Sequence, residues 1–392
     1  MIRTDSRKGR FALMVAHCAG MVDLVALPVW VGTLISRYGF DPQQAGLLAT
    51  LFLLGAVLAS LALAPQFQRL SGRTVAAVGF GVAALAFLGL TQTTDFATMA
   101  LLHALAGLAA GAGLSMTHGT IACSAHPHRL FAVVGIALGV FGIAFMGATP
   151  PLIAAHGGPL MFQVFGALMG LAAVVAALAF PTADRSQRAA TETSAVASRM
   201  PRAVWFGIVG VSGMALVQAM MFSFLERVGV DRGFSVQAIT AVLVALGVVN
   251  MFPAGLAALL EKRWPAYAVL RAGPIVQALL VVVMVNTQAF AAYAGAASVF
   301  AAVMIFTHTF AFGLIAQLDR SGRALAATPA MLMVGAAIGP ILGGTLIKYL
   351  GYGSLSVAAI VVALVALMCF ARLPRQGALP AQTATTPKVV SP

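Results

Sequence analysis

Hydrophobic positions in this chain come in long unbroken blocks, without the every-second-residue alternation of a half-buried strand. The blocks cover residues 11–36, 43–64, 74–91, 96–121, 130–155 and 159–180, then 203–225, 236–260, 267–285, 289–316, 325–350 and 355–370. Each is close to the roughly 20 residues that cross a bilayer as a helix. The pattern predicts twelve transmembrane helices. A polar stretch, TADRSQRAATETSAVASRMPR, separates the sixth block from the seventh near the chain midpoint. After residue 374 the sequence is rich in Pro, Thr and Ala and predicts disorder. The expected organisation is a helical bundle over 1–181, a cytoplasmic linker over 182–202, a second bundle over 203–374 and a cytoplasmic tail over 375–392.

Composition removes the soluble alternative. The chain is 61% hydrophobic and 8% charged, with mean hydropathy +0.98. An ordinary soluble domain is about 25% charged, so this pool cannot cover a water-facing surface. Only helices or closed barrels satisfy every backbone group in lipid, and the block lengths select helices. The three cysteines, Cys18, Cys123 and Cys369, are odd in number and widely spaced, so neither a disulfide framework nor a metal site is expected. The basic start MIRTDSRKGR leads into about 26 apolar residues, too many for a signal-peptide core, and reads as an uncleaved first span.

The net charge of +13 is a topology signal. With a cytoplasmic N-terminus and twelve spans, 19 of the 23 Lys and Arg residues fall on the inner side. The outer segments hold Arg37, Arg227, Arg232 and Lys348. A missed or added span would scramble this asymmetry, so the positive-inside rule predicts both termini in the cytoplasm. Nucleic acid is not needed as a partner. The expected location is the cell membrane, the inner membrane if the source is bacterial.

The halves repeat. YGFDPQQAG from Tyr38 and RGFSVQAIT from Arg232 share Gly-Phe, a helix-capping Asp41 or Ser235, and Gln43 or Gln237 in the next first turn, at an offset of 194 residues. The loops QRLSGR and EKRWP, after spans 2 and 8, are both basic. Six spans per half put the halves in one orientation about an axis along the membrane normal, an architecture of secondary transporters. The fold class is therefore an all-α membrane protein of two six-helix pseudo-repeat bundles.

Span 11 carries Gly335-Ala-Ala-Ile-Gly339-Pro340-Ile-Leu-Gly343-Gly344. This matches the GxxxGPxxGG pattern of the major facilitator superfamily, which the whole chain resembles. Span 5 has a blurred counterpart in Gly139, Gly142, Gly147, Pro150 and Pro151. Small residues at this spacing serve either helix packing or gating. The superfamily's acidic-Arg-x-Gly-Arg loop signature is altered here to Gln68-Arg69-Leu70-Ser71-Gly72-Arg73: Arg69, Gly72 and Arg73 remain, the acid is lost and one residue is added.

Asp23 lies midway along span 1, whereas the other nine acidic residues fall in loops, tails or at expected span ends. A charged carboxylate there costs about 2.5–3.5 kcal/mol on insertion scales, which makes it a functional candidate. Asp23 precedes Ala26-Leu27-Pro28, similar to the span 1 motif of the twelve-span drug:proton antiporter branch. That branch has Arg-x-x-x-Gly in span 4; this chain has His103-Ala-Leu-Ala-Gly107, followed by Gly111. The resemblance therefore implies proton coupling through Asp23, with His103 as its charge partner. Along the helices, however, His103 should lie about 10 Å from Asp23 in depth.

The superfamily lines its central cavity with spans 1, 4, 7 and 10. His17, His103, His118 and His308 all fall on these spans, and histidine titrates near neutral pH. Trp30, seven residues after Asp23, either stacks on a substrate or belongs to an interfacial belt. Gln218 and Thr307 are hydrogen-bonding candidates for the same cavity, and Met220 and Met221 a candidate adaptable wall. No nucleotide loop, metal motif or nucleophile elbow is present, so no cofactor, metal or enzymatic activity is expected. The reading is a monomeric, proton-coupled exporter of a small amphipathic or cationic organic compound. Uptake of a small neutral or weakly acidic metabolite by proton symport stays open, as does a non-transporting sensor or assembly factor.

Overall fold

The computed structural model describes residues 2–63, 66–67, 69–182, 201–261, 263–318 and 328–374. The core of the expected linker (183–200), the expected tail, Gln68, Arg320 and Arg323 lie outside the described residues. Among those described, twelve helices are long and apolar enough to cross a membrane. Span 1 is Arg7–Gly20 followed by Val22–Tyr38. Spans 2 to 6 are Pro42–Leu63, Gly72–Leu90, Phe96–Ala122, Pro127–His156 and Pro159–Ala179. Span 7 is Arg202–Asp231, and span 8 is Val236–Val249 followed by Pro253–Leu260. Spans 9 to 12 are Ala266–Asn286, Phe290–Leu318, Thr328–Leu350 and Gly353–Ala371.

Local chemistry sets the helix ends. Asp41 and Gln44 form a reciprocal capping box: the Asp41 carboxylate accepts from Gln44 N–H at 2.9 Å, and the Gln44 amide oxygen accepts from Asp41 N–H at 3.2 Å. Its repeat counterpart Ser235 caps Ala238 N–H at 3.2 Å. Spans 5 and 6 begin with proline, which needs no helical donor there. The only positive-φ residues among those described are Gly39, Gly157, Gly233 and Gly351. They form two pairs at the repeat offset of 194, one after spans 1 and 7, the other after spans 5 and 11. The repeat is thus built into the turns as well as the motifs.

Three boundaries differ from expectation. Span 1 is interrupted at Met21. Span 8 is interrupted over 250–252, because Pro253 has no N–H for the carbonyl four residues back. Span 7 continues to Asp231, six residues past the expected end. Arg227 and Asp231, four apart, pair at 2.7 Å and let the helix run on through charged positions.

In lipid, apolar surface gives little drive for helices to associate, and close packing replaces it. Large side chains such as Leu85, Leu178 and Leu259 face outward. Inside, Gly107 and Gly111 of span 4 rest on the Phe52 and Ala56 backbones of span 2, while Gly335 and Gly339 of span 11 rest on Ser212 and Met220 of span 7. Spans 1–6 and 7–12 each pack as a bundle, and the bundles meet where span 2 faces 11, span 5 faces 8, and span 1 faces 7. We call the end with residues 2–6, 66–73 and 180–182 the terminal end, and the opposite one the far end.

Candidate functional site

Span 1 supplies the first element of the site. Gly20 ends its first half and packs on Leu114 of span 4. Met21, at φ −107° and ψ 21°, breaks the helix, and Val22 restarts it. Asp23 therefore lies in the first turn of a half-helix inside the membrane. The first-turn N–H groups at such a terminus supply partial positive charge, and those of Asp23 and Leu24 lie beside the Asp23 carboxylate, although Leu24 N–H also donates to the Met21 carbonyl at 3.2 Å. Asp23 is half-buried, and Leu24 beside it is exposed. Sequence located the acid but not the break.

Spans 1 and 4 run antiparallel, so their side chains meet in rungs. Toward the terminal end, His17 Nδ1 lies 3.1 Å from His118 Nε2. At this distance one imidazole donates to the other, so the pair shares a proton position. Toward the far end, Trp30 Nε1–H donates to His103 Nε2 at 3.3 Å, and His103 Nδ1 lies 2.7 Å from the Met99 carbonyl. Asp23 lies between these rungs, about 9 Å from the first and about 10 Å from the second at 1.5 Å per residue.

The expected direct Asp23–His103 pair is not formed in this conformation. Both His103 ring nitrogens are engaged elsewhere, because the intervening turns of span 1 place Trp30, not Asp23, at its level. Trp30 is likewise neither on a substrate-facing wall nor in an interfacial belt here. It is fully enclosed, with Phe52, Phe87 and Phe165 edge-on at 4.9–5.9 Å and His103 stacked at 5.5 Å. His103 and Trp30 together lock spans 1 and 4.

In the second half, Gln218 of span 7 accepts from the Gln277 amide of span 9 at 3.4 Å, and the same amide donates to Met214 C=O at 3.1 Å. Gln277, fully buried, was not singled out from the sequence. Thr307 is buried, donates to Val303 C=O at 2.7 Å and abuts Gly273 of span 9. His308 is half-buried beside Phe312 at 5.0 Å. Met220 and Met221 are fully buried, so in this conformation they fill the core instead of lining an open wall.

The glycine motif of span 11 divides by face. Gly335, Gly339 and Gly343 lie against span 7, whereas Gly344 crosses to the Pro42 backbone of span 2. Gly46 of span 2 answers by resting on the Pro340 carbonyl. Around this crossing, Thr50 Oγ1 accepts from Ile341 N–H at 3.1 Å, and the Gln43 amide donates to Thr345 Oγ1 at 3.2 Å. Lys348 pairs with Asp41 at 2.9 Å. Desolvation works against the Asp41 charge, but the Gln44 N–H and Lys348 overcome it and hold the carboxyl below its usual range. These contacts draw the halves together at the far end. At the terminal end, Arg73 donates to the Phe180 carbonyl at 3.4 Å and Gly72 faces the Phe180 ring, so the altered loop motif ties span 3 to the end of span 6. Arg69 is exposed.

A second intramembrane carboxylate was missed by sequence reading. Glu226 lies in the extended last part of span 7, and a Cβ on Gly32 of span 1 would come within 3.0 Å of its carboxyl. The signal available was the repeat itself, since Gly32 and Glu226 are counterparts at the offset of 194. Pro150 of span 5 lies at the same small cavity as Glu226.

Solved structures share this fold. The nucleoside transporter NupG superposes at TM-score 0.72 with 14% identity, covering 93% of this chain and 98% of that one. A D-xylose-proton symporter gives 0.71 and 14%, covering 94% and 98%. A bacterial homologue of the human lysosomal transporter Spinster, inward-facing and occupied, gives 0.68 and 15%, covering 92% and 94%. Among curated proteins none matches the chain in sequence. Residues 12–318 match the Major Facilitator Superfamily, and with its twelve spans and two repeated bundles the chain belongs to that family.

Proposed function

We propose that this protein exports a small amphipathic or cationic organic compound in exchange for protons, acting as a monomer by alternating access. The observation that carries this reading is Asp23, half-buried at the restart of a broken span 1. A carboxylate at mid-membrane is retained at substantial cost, and its position at a helix break lets it change hydration with modest movement. Asp23 is the proton acceptor. His103 acts on it indirectly, by holding Trp30 and hence the far half of span 1. The hydrogen-bonded His17–His118 pair lies on the terminal side of Asp23, where it is suited to relaying protons.

The absence of any Lys or Arg at mid-depth on spans 1, 4, 7 and 10 favours cationic over anionic substrates. With the basic residues gathered at the terminal end, the termini lie in the cytoplasm and this conformation is closed to the outside. Single cysteines at Gln66 and Gln92 test the orientation: each should react with impermeant reagent from one side only, Gln92 from outside.

The test of mechanism is Asp23→Asn in proteoliposomes. An imposed pH gradient should drive a cationic dye such as ethidium in the wild type and leave it unmoved in the variant, with folding intact. Dye movement at the wild-type rate in Asp23→Asn would remove Asp23 from coupling. Movement of dye with the proton flux, instead of against it, would replace export by symport.

A further inference from the structure

Glu226 is half-buried where the two halves touch at the far end. Its carboxyl packs against Gly32 of span 1, which has no side chain to offer a hydrogen bond. The Oε2 atom is buried and has no hydrogen-bond partner. The cavity beside it is lined by Pro150 of span 5, Val230 of span 7, and Val236, Ile239, Thr240 and Leu243 of span 8. Its volume is about 10 Å³, at the lower limit for one water.

Nearby charges are already committed. Arg227 pairs with Asp231 at 2.7 Å, and Asp231 also accepts from the Tyr352 hydroxyl at 2.5 Å. Tyr293 of span 10 donates to the Leu225 carbonyl at 2.7 Å. Arg232 donates to the Val285 carbonyl. On the other packed elements, Arg37 and Tyr38 close span 1, His156 closes span 5, and Lys348 of span 11 pairs with Asp41. The first half of span 8, Val236–Val249, has no titratable residue. Asp23 shares span 1 with Gly32 but lies nine residues away, about 13 Å along the helix.

An ionised carboxylate here would have Oε2 without water or a hydrogen bond, with the neighbouring Arg227 already held by Asp231, which is unfavourable. A metal ion would need several ligands, and no His, Cys, Asp or Glu cluster able to hold one exists among the described residues. A proton is the neutralising species that fits. We propose that Glu226 is a second proton-binding site, at which one proton must bind before the far end can close. On closing, the carboxylate takes a proton from the aqueous phase at that end and packs as a neutral acid against Gly32. On opening, water reaches it and the proton returns. Gly32 permits this close packing, since a Cβ there would come within 3.0 Å of the carboxyl and push it by a few tenths of an ångström. This inference needs the halves to move, but not the export reading or Asp23.

Spin labels at Thr94 and Gln288, exposed repeat counterparts in the far-end loops, report the separation of the halves. Lipid nanodiscs holding the full chain, with its three cysteines replaced, would be measured by electron–electron distance spectroscopy across pH. In wild type the fraction with the short distance should fall at least tenfold as pH rises through the titration. Glu226→Gln should hold the short distance at every pH, whereas Glu226→Asp should keep a pH response. In an Asp23→Asn background, adding Glu226→Gln should still remove whatever pH response of the far end remains. A Glu226→Gln protein that opens with pH as wild type does would overturn the proposal. If Glu226→Gln does not fold, Glu226→Asp still decides: loss of all pH response in a folded Glu226→Asp protein counts against a titrating site.

Discussion

Besides the contact of span 1 with span 7, the halves meet along two seams that the repeat relates to one another, spans 2 and 11 on one side and spans 5 and 8 on the other. They are built differently. At the first, Gly46 and Gly344 bring backbone onto backbone, and Thr50, Gln43 and Lys348 add polar contacts across the crossing. At the second, Gly139 meets Met251, Gly147 meets Val244 and Gly247 meets Ile143, all through side chains at 3.1–3.5 Å from an added Cβ. Backbone and hydrogen bonds have one good fit; apolar side chains have many rotamers and yield. The first seam therefore registers closure, and the second tolerates sliding while the bundles rock.

The comparison can be broken most severely at Gly344. Gly344→Leu should push the Pro42 backbone away at a cost of about 1–3 kcal/mol or more, reducing the closed far end about tenfold to a hundredfold and abolishing transport. The Thr94–Gln288 distance is the measurement. If Gly147→Leu on the other seam has an equal effect, the distinction between the seams is wrong.

A smaller effect is expected from Thr50→Val. It keeps the shape but removes the acceptor for Ile341 N–H, at about 1 kcal/mol for a hydrogen bond of this kind. The closed fraction should fall severalfold and recover with Thr50→Ser. Smaller again is Gly247→Ala, where Ile143 can shift its side chain by a few tenths of an ångström. Transport should stay within about threefold of wild type, corresponding to under about 1 kcal/mol.

Lys348→Gln should do least. The Asp41–Lys348 pair is solvent-exposed, and such pairs contribute little to stability. Because the Asp41 carboxyl is held below its usual range, the contribution is complete above the ordinary carboxylate value of about 3.9 and is lost as pH falls through the lowered one. Between pH 5 and 8 the pair should be insensitive to pH, though weakened by salt. A pH response of the far end that is the same in Lys348→Gln as in wild type would assign that response to another group.

Legibility varied with the range of the interaction. The caps at Asp41 and Ser235 were readable because a cap's partners lie within three residues of it, although the reciprocal bond from Gln44 was not foreseen. Asp23 was readable because a lone carboxylate in an apolar block is conspicuous at any resolution of boundary. Glu226 was not, because it sits beside Arg227 and Asp231 and resembles a charged span end. Its burial depends on Gly32, 194 residues earlier, and on span 8 closing over it. His103 faces Trp30 here instead of the expected Asp23. The residue facing it is set by how far spans 1 and 4 slide past each other, which neither helix encodes alone.

The sequence by itself determined twelve spans, the repeat and the family resemblance, since bilayer thickness and helical rise act on each segment separately. It also determined where the close helix contacts could form, by leaving glycine at those positions. The tertiary structure alone decided which glycine meets which backbone, where span 1 breaks, and which carboxyl loses its water. Those outcomes depend on the packing of several helices at once, and lipid, as apolar as the side chains, does not select among packings as water would.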